Sequence, residues 1–166
     1  LRRRLDRLAS IARSNGLQGF LVENLAARRE PSTMADIESL ITDGDDEHVP
    51  LQLCLDVGHM CVPETDGEEP DPYAWLRRLG SSAAVIQIQQ TDVFGDRHWP
   101  FTTEHDDVGR ILPSRVLEAL GGAPSAPLIF EVIPAFEAPD DTIVRDLVES
   151  VRRWREALAE SEVSTV

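Results

Sequence analysis

The sequence predicts an α/β protein with parallel strands, folded as four successive strand–helix units of a (β/α)8 barrel. Three observations predict it. Short apolar runs alternate with segments of helical period along the whole chain, so each crossover returns the next strand to the same end of the sheet. A polar residue stands at or near the end of each run, at Glu23, Asp56, Gln89 and Glu131, at intervals of 33, 33 and 42 residues. A full barrel of roughly 250 residues averages about 31 per unit. The 166 residues therefore hold four units, the C-terminal half of a barrel, as a single partial domain over 1–166.

Each element has its own justification. Leu1, Leu5, Leu8 and Ile11 recur at helical spacing until Asn15-Gly16, a usual helix stop. That pattern is already running at Leu1, so the chain is expected to be truncated at its N-terminus. Gly19 to Val22 reads as a buried strand ending at Glu23, and Ile37, Leu40 and Ile41 mark a helix started near Ser32 or Thr33. After the polar loop Asp43 to Glu47 comes the strand Leu51 to Leu55. Asp71-Pro72 caps a helix through Leu79 that stops at Gly80, because the carboxylate accepts from the first turn and proline suits its first position.

Ala83 to Gln90 is the third strand; the loop Thr91 to Asp107 is too long for a mere connection and is expected to be functional. A helix over Ser114 to Leu120 ends at Gly121-Gly122. Leu128 to Ile133 is the fourth strand, and Ile143, Leu147, Val151, Trp154 and Leu158 trace the apolar stripe of a last helix that frays after Ser161. Side-chain parity fits this frame. With Asp56 in the barrel mouth, Gln52 and Cys54 share its face while Leu51, Leu53 and Leu55 face the helices; Gln87 and Gln89 oppose Ile86 and Ile88; Ile129 and Glu131 oppose Leu128 and Phe130. No GxGxxG or GxxxxGK[ST] follows a strand, which argues against an open nucleotide-binding sheet.

Composition removes several function classes. Sixteen basic residues against 30 acidic ones give a net charge of -14, the wrong sign for a nucleic-acid partner. Every basic residue is an arginine, which excludes a Schiff-base or P-loop lysine. No apolar run approaches the roughly 18 residues that cross a bilayer, and no signal-peptide core follows Arg2-Arg3-Arg4, so a cytoplasmic protein without a membrane partner is expected. The two cysteines, Cys54 and Cys61, read as reduced thiols.

In a barrel the four strand ends converge on one face. One acid there is more readily a helix cap or a solvated group; Glu23, Asp56 and Glu131 together repel one another unless a cation joins them. Such oxygen ligation suits magnesium or manganese, with cobalt or zinc admitted if an imidazole takes part. Glu23 and Glu131, on strands three apart around the barrel mouth, are also placed to act as a catalytic pair, one removing a proton and the other returning it.

His59 follows Asp56 in Leu55-Asp56-Val57-Gly58-His59, and a strand ending in Asp-x-Gly-His resembles the sixth strand of the xylose-isomerase-like barrels. These comprise sugar isomerases, ketose 3-epimerases, hydroxypyruvate isomerases and endonuclease IV. Val22-Glu23-Asn24, Ile88-Gln89-Gln90-Thr91-Asp92 and Phe130-Glu131-Val132 resemble the fifth, seventh and eighth strands. The resemblance implies that Glu23, Asp56 and Glu131 bind a divalent metal and that His59 contacts substrate. Gln89 stands where the family usually has histidine, and its amide is a weaker ligand that binds weakly or not at all.

The loop Gly95-Asp96-Arg97-His98-Trp99-Pro100-Phe101-Thr102 is most similar to that of the tetrulose-phosphate epimerases of erythritol catabolism. It implies that Arg97 and His98 contact substrate, with Arg97, Arg28 or Arg29 as phosphate clamps. Asp96-x-His98 also resembles the added metal pair of endonuclease IV; in the alternative, His98 merely packs on Trp99. His48 and His105 read as solvent-facing, Trp75 and Trp154 as core, and Trp99 as a wall over the site or as loop packing.

Three functions stay open. The first is a metal-dependent sugar or sugar-phosphate isomerase/epimerase binding a small sugar or sugar phosphate. The second is a noncatalytic sugar-binding or regulatory barrel, and the third an endonuclease IV-like phosphodiesterase. Two open sheet edges also invite pairing with a second copy, a homo-oligomer.

Overall fold

The structure, a computed structural model, describes residues 1–26, 31–62, 71–122 and 124–163. Helix α1 (Arg2–Ser14) buries Leu5, Ala9 and Ala12 and gives way at Asn15 to Gly16, whose φ of 76° lies in the left-handed region. Strand β1 (Phe20–Glu23) follows. Helix α2 (Met34–Leu40) opens with a capping box: Thr33 Oγ1 accepts from the Asp36 backbone at 3.1 Å, and the Asp36 carboxylate accepts from the Thr33 backbone at 3.3 Å.

Strand β2 (Leu51–Asp56) leads to α3 (Pro72–Leu79), capped by Asp71 Oδ1 accepting from Tyr73 N at 2.9 Å. Strand β3 (Ala83–Ile88), α4 (Pro113–Leu120), β4 (Leu128–Phe130) and α5 (Asp140–Val163) complete the order. Helix α5 therefore continues two residues past Ser161, where fraying was expected.

The strands lie in sequence order, β1-β2-β3-β4, and every pair is parallel. Because every pair is parallel, all four carboxyl ends reach one edge of the sheet. Two strands stop earlier than expected. Gln90 leaves the ladder after Ile88 and pairs antiparallel with Trp99, each backbone N–H donating to the other's carbonyl at 2.9 Å. Glu131 N still donates to Ile88 O at 3.0 Å, but Ile133 N turns away to His98 O at 2.9 Å. In both places the long loop between β3 and α4 captures backbone that would otherwise extend the sheet.

The parity is as expected. Leu51, Leu53, Leu55, Ile86 and Ile88 are buried against the helices, while Gln52 on the opposite face is exposed. Each such aliphatic side chain stabilises the fold by roughly 1.5–3 kcal/mol. Trp75 and Trp154 are buried, and Phe101 and Phe130 meet the Trp154 ring edge-to-face. Among the described residues no helix is long and apolar enough to cross a membrane. The face of the sheet away from the helices is covered unevenly: Leu21 on β1 is 44% exposed and Ile129 on β4 is 47% exposed.

Candidate metal and proton-transfer site

Asp56, the last residue of β2, is fully buried. Its backbone is clamped from the neighbouring strand, because Asn24 Oδ1 accepts from Asp56 N at 2.8 Å and Asn24 Nδ2 donates to Asp56 O at 3.0 Å. The side chain of Asn24 thus continues the ladder one step beyond the end of β1. The Asp56 carboxylate caps the turn that follows by accepting from His59 N at 2.9 Å. Asp-x-Gly-His is therefore an Asx-capped turn that swings the His59 ring back beside the acid.

His59 is buried among carboxylates. Its Nδ1 lies 2.8 Å from Asn24 O and 3.4 Å from Glu23 Oε1, and its Nε2 lies 3.2 Å from Asp96 Oδ2 and 3.9 Å from Asp56 Oδ2. A carbonyl oxygen only accepts, so Nδ1 carries a proton. Burial alone would lower the imidazole pKa, but the Asp96 hydrogen bond and the Asp56 charge outweigh it and raise it to about 9.

Glu23 and Glu131 flank this pair from the outer strands. Burial raises the Glu23 pKa against the opposing His59 charge, and the charges of Glu131 and Asp96 raise it further. Burial, then a hydrogen bond with Asp56 and its charge, push Glu131 up to about 7. Among the described residues Glu131 Oε2 is buried with no hydrogen-bond partner, and His98 Nδ1 stands 3.9 Å from it. Acids held in this state are short of positive charge.

The long loop supplies the rest. Asp96 Oδ1 lies 3.1 Å from His98 Nε2, and the hydrogen bond and charge of His59 hold the Asp96 carboxyl well below the usual range despite its burial. His98 has a φ of 53°, in the left-handed region that non-glycine residues rarely enter. Its Nδ1 faces Glu131 O at 3.0 Å. Gln89 is fully buried; it donates from Nε2 to both Asp56 oxygens at 3.3 Å and to Asp96 Oδ1 at 3.1 Å, and it accepts from His98 N through Oε1 at 2.6 Å.

Among the described residues two sets of side chains have ligand atoms close enough to share one ion: Glu23, Asp56 and His59, and His59, Asp96 and His98. The first is mainly oxygen and suits a hard divalent cation; the second, with two imidazoles, suits a borderline one. The orphaned Glu131 oxygen beside Asp56 fits the same need for a cation.

Most expected site residues meet here: Glu23, Asp56, His59, Gln89, His98 and Glu131. Arg97 takes another course. Its guanidinium is paired with Asp92, with Nε 3.1 Å from both oxygens, and lies 5.4 Å from the Trp99 ring centroid. Trp99 stacks on His105 at 4.5 Å, so the ring partner of Trp99 is His105 and not His98, and His105 is not simply solvent-facing. His48 bonds Asp45 at 2.9 Å on the surface. Arg28 and Arg29 lie outside the described residues.

Sequence reasoning missed the clamp formed by Asn24 and read Asp96 only as half of an Asp-x-His pair, not as a partner of His59 and Gln89. Nothing local marked Asn24, whose partner lies 32 residues away.

No protein-family profile matches the chain. It is 30% identical to D-erythrulose 1-phosphate 3-epimerase from Brucella abortus over 109 residues, which are 64% of this chain and 35% of that one. The crystal structure of a candidate xylose isomerase from Rhodospirillum rubrum superposes with a TM-score of 0.77 at 30% identity, covering 93% of this chain and 52% of that one. A Thermus thermophilus protein soaked with zinc chloride shares the fold alone, at a TM-score of 0.57 and 20% identity over 95% of this chain and 51% of that one. The chain thus spans about a third of the curated relative and about half of the solved structures. Four parallel strands in order with helices on one face share the xylose-isomerase-like fold of the Rhodospirillum rubrum protein, present here as half of its barrel.

Proposed function

We propose that this chain is the cation-holding half of a metal-dependent sugar or sugar-phosphate isomerase or epimerase that moves a proton on the carbon next to a ketone. One observation carries the reading: the carboxylates of Glu23, Asp56 and Asp96 lie within 4 Å of His59, and beside Asp56, Glu131 Oε2 is buried with no hydrogen-bond partner among the described residues. Glu23, Asp56 and Glu131 would hold manganese, magnesium or cobalt, and the nearby imidazoles make zinc acceptable. When bound, the ion polarises the ketone and stabilises the negative charge that develops on its oxygen.

The chain's own residues do the remainder. Glu131, just past the end of β4, is placed to take and return the proton. Glu23, at the end of β1, is the second proton carrier. Asp56 is held from both sides by Asn24 and Gln89 and is the fixed point of the site. The name of the Brucella relative supports a tetrulose phosphate as substrate. Arg97, tied to Asp92, must release that partner to clamp a phosphate.

A second reading has an observation of its own. His59, Asp96 and His98 form a second cluster of possible ligands, as a zinc phosphodiesterase would need.

Calorimetry with manganese and zinc, together with hydrogen–deuterium exchange at the carbon beside the ketone of tetrulose phosphates, tests both. About one manganese per chain is expected, weakened by more than about tenfold in Asp56→Asn, with deuterium entering the substrate in the wild type. Two or more zinc ions and cleavage of abasic DNA would favour the phosphodiesterase. No metal bound even after reconstitution would sink the catalytic reading and leave a sugar-binding barrel.

A further inference from the structure

The side chain of Gln89 matches its surroundings group for group. A primary amide has one oxygen that accepts and two N–H bonds that donate. Here the oxygen receives the backbone N–H of His98 at 2.6 Å, while the amino group faces Asp56 on one side and Asp96 on the other. The orientation is fixed by chemistry. A backbone nitrogen only donates, so the atom facing His98 N must be the amide oxygen, and that oxygen is turned away from the acids.

We infer that Gln89 is a positioning residue and not a metal ligand: it ties the loop bearing Asp96 and His98 to Asp56 and holds His98 in its left-handed backbone conformation. This deepens the cation-site reading above and rests on it only for what the positioned groups then bind. A neutral imidazole has one acceptor and one donor, so histidine at position 89 could not make all three contacts. The glutamine therefore serves this loop, which carries its own imidazole to the cluster through His98.

Two further features agree. Gly58, within Asp-x-Gly-His, is the close neighbour of Gln89: a Cβ there would overlap Gln89 Cγ and Cδ, so the glycine makes room for the amide. His98 is also gripped by Ile133 N on its carbonyl at 2.9 Å and by Glu131 O on its ring at 3.0 Å. His98 Nε2 meets Asp96 directly at 3.1 Å, and Gln89 adds the link from the His98 backbone to Asp56.

The test is hydrogen exchange at the His98 amide in chelator-treated protein, for wild type, Gln89→Met and Gln89→Glu. Methionine keeps the length and removes every polar contact; glutamate keeps an acceptor for His98 N but sets a carboxylate against Asp56 and Asp96 where the amino group donated. Exchange is expected to quicken by about tenfold or more in both variants. Wild-type exchange in either variant would overturn the inference. Should Gln89→Met fail to fold, the glutamate variant alone decides it. Manganese that fails to bind the wild-type chain would overturn the proposed function and leave the exchange outcome intact, so the two readings fail separately.

Discussion

The central strands β2 and β3 differ from the outer strands β1 and β4 in what surrounds them and in what they bring to the site. On the helix face Leu53 and Ile86 of the central pair are fully buried while Phe130 of β4 is only partly buried, and the central site residues Asp56 and Gln89 are fully buried. On the opposite face Leu21 and Ile129 of the outer pair stand 44% and 47% exposed, and the outer site residues Glu23 and Glu131 are only partly covered, with side chains 34% and 33% exposed. The centre therefore supplies fixed geometry, while the margins supply the two acids whose pKa values are raised. A proton carrier must reach both substrate and solvent, whereas a group that sets geometry should not move.

The comparison breaks first on stability. Ile86→Ala removes a fully buried side chain from β3 and is expected to cost about 2–5 kcal/mol. Ile129→Ala, on β4, is expected to stay within about 0.5 kcal/mol. Urea unfolding reads both. Equal losses would mean that the open face around Ile129 is covered in solution, as pairing with a second half-barrel would cover it.

A smaller effect probes the contact between the two central strands. Gly58→Ala sets a Cβ against Gln89 and is expected to cost about 1–3 kcal/mol by overpacking. In a Gln89→Ala background most of that cost should vanish, giving a coupling energy of about 1 kcal/mol or more. Unfolding of the four proteins in urea measures it. Additive losses would place the strain at the Gly58 backbone and separate the glycine from the amide.

The central and outer strands also differ in how legible they were. Alternating Leu51-Gln52-Leu53-Cys54-Leu55-Asp56 states its two faces residue by residue, and the structure keeps that parity. The capped turn to His59 is local too, so Asp56 and His59 are read together. Strand ends at Gln90 and Ile133 were misjudged because a contact across the molecule, to Trp99 and His98, decides them. Asn24 was opaque for the same reason: an asparagine after a strand is ordinary until the strand beside it is known. The loop's likeness to that of tetrulose-phosphate epimerases suggested a free Arg97, but Asp92, five residues earlier in the same loop, takes its guanidinium.

The smallest expected effect lies where the centre meets the long loop. Tyr73, the sole tyrosine, donates from its hydroxyl to Arg110 O at 2.8 Å and accepts from Leu112 N at 3.1 Å, pinning the end of that loop to α3. Burial raises its pKa above 10, against the lowering effects of the Leu112 hydrogen bond and the Arg115 charge. A phenol whose folded pKa exceeds its unfolded value favours the native state most below the unfolded value. That advantage is lost as pH rises past 10 toward the folded pKa, because only the unfolded chain ionises freely there. Absorbance at 295 nm should therefore show phenolate appearing later in native protein than in urea, and Tyr73→Phe should remove the signal. If native and unfolded curves coincide, the loop end is open to solvent, and the fixed geometry of the central strands does not extend to the loop bearing Asp96 and His98.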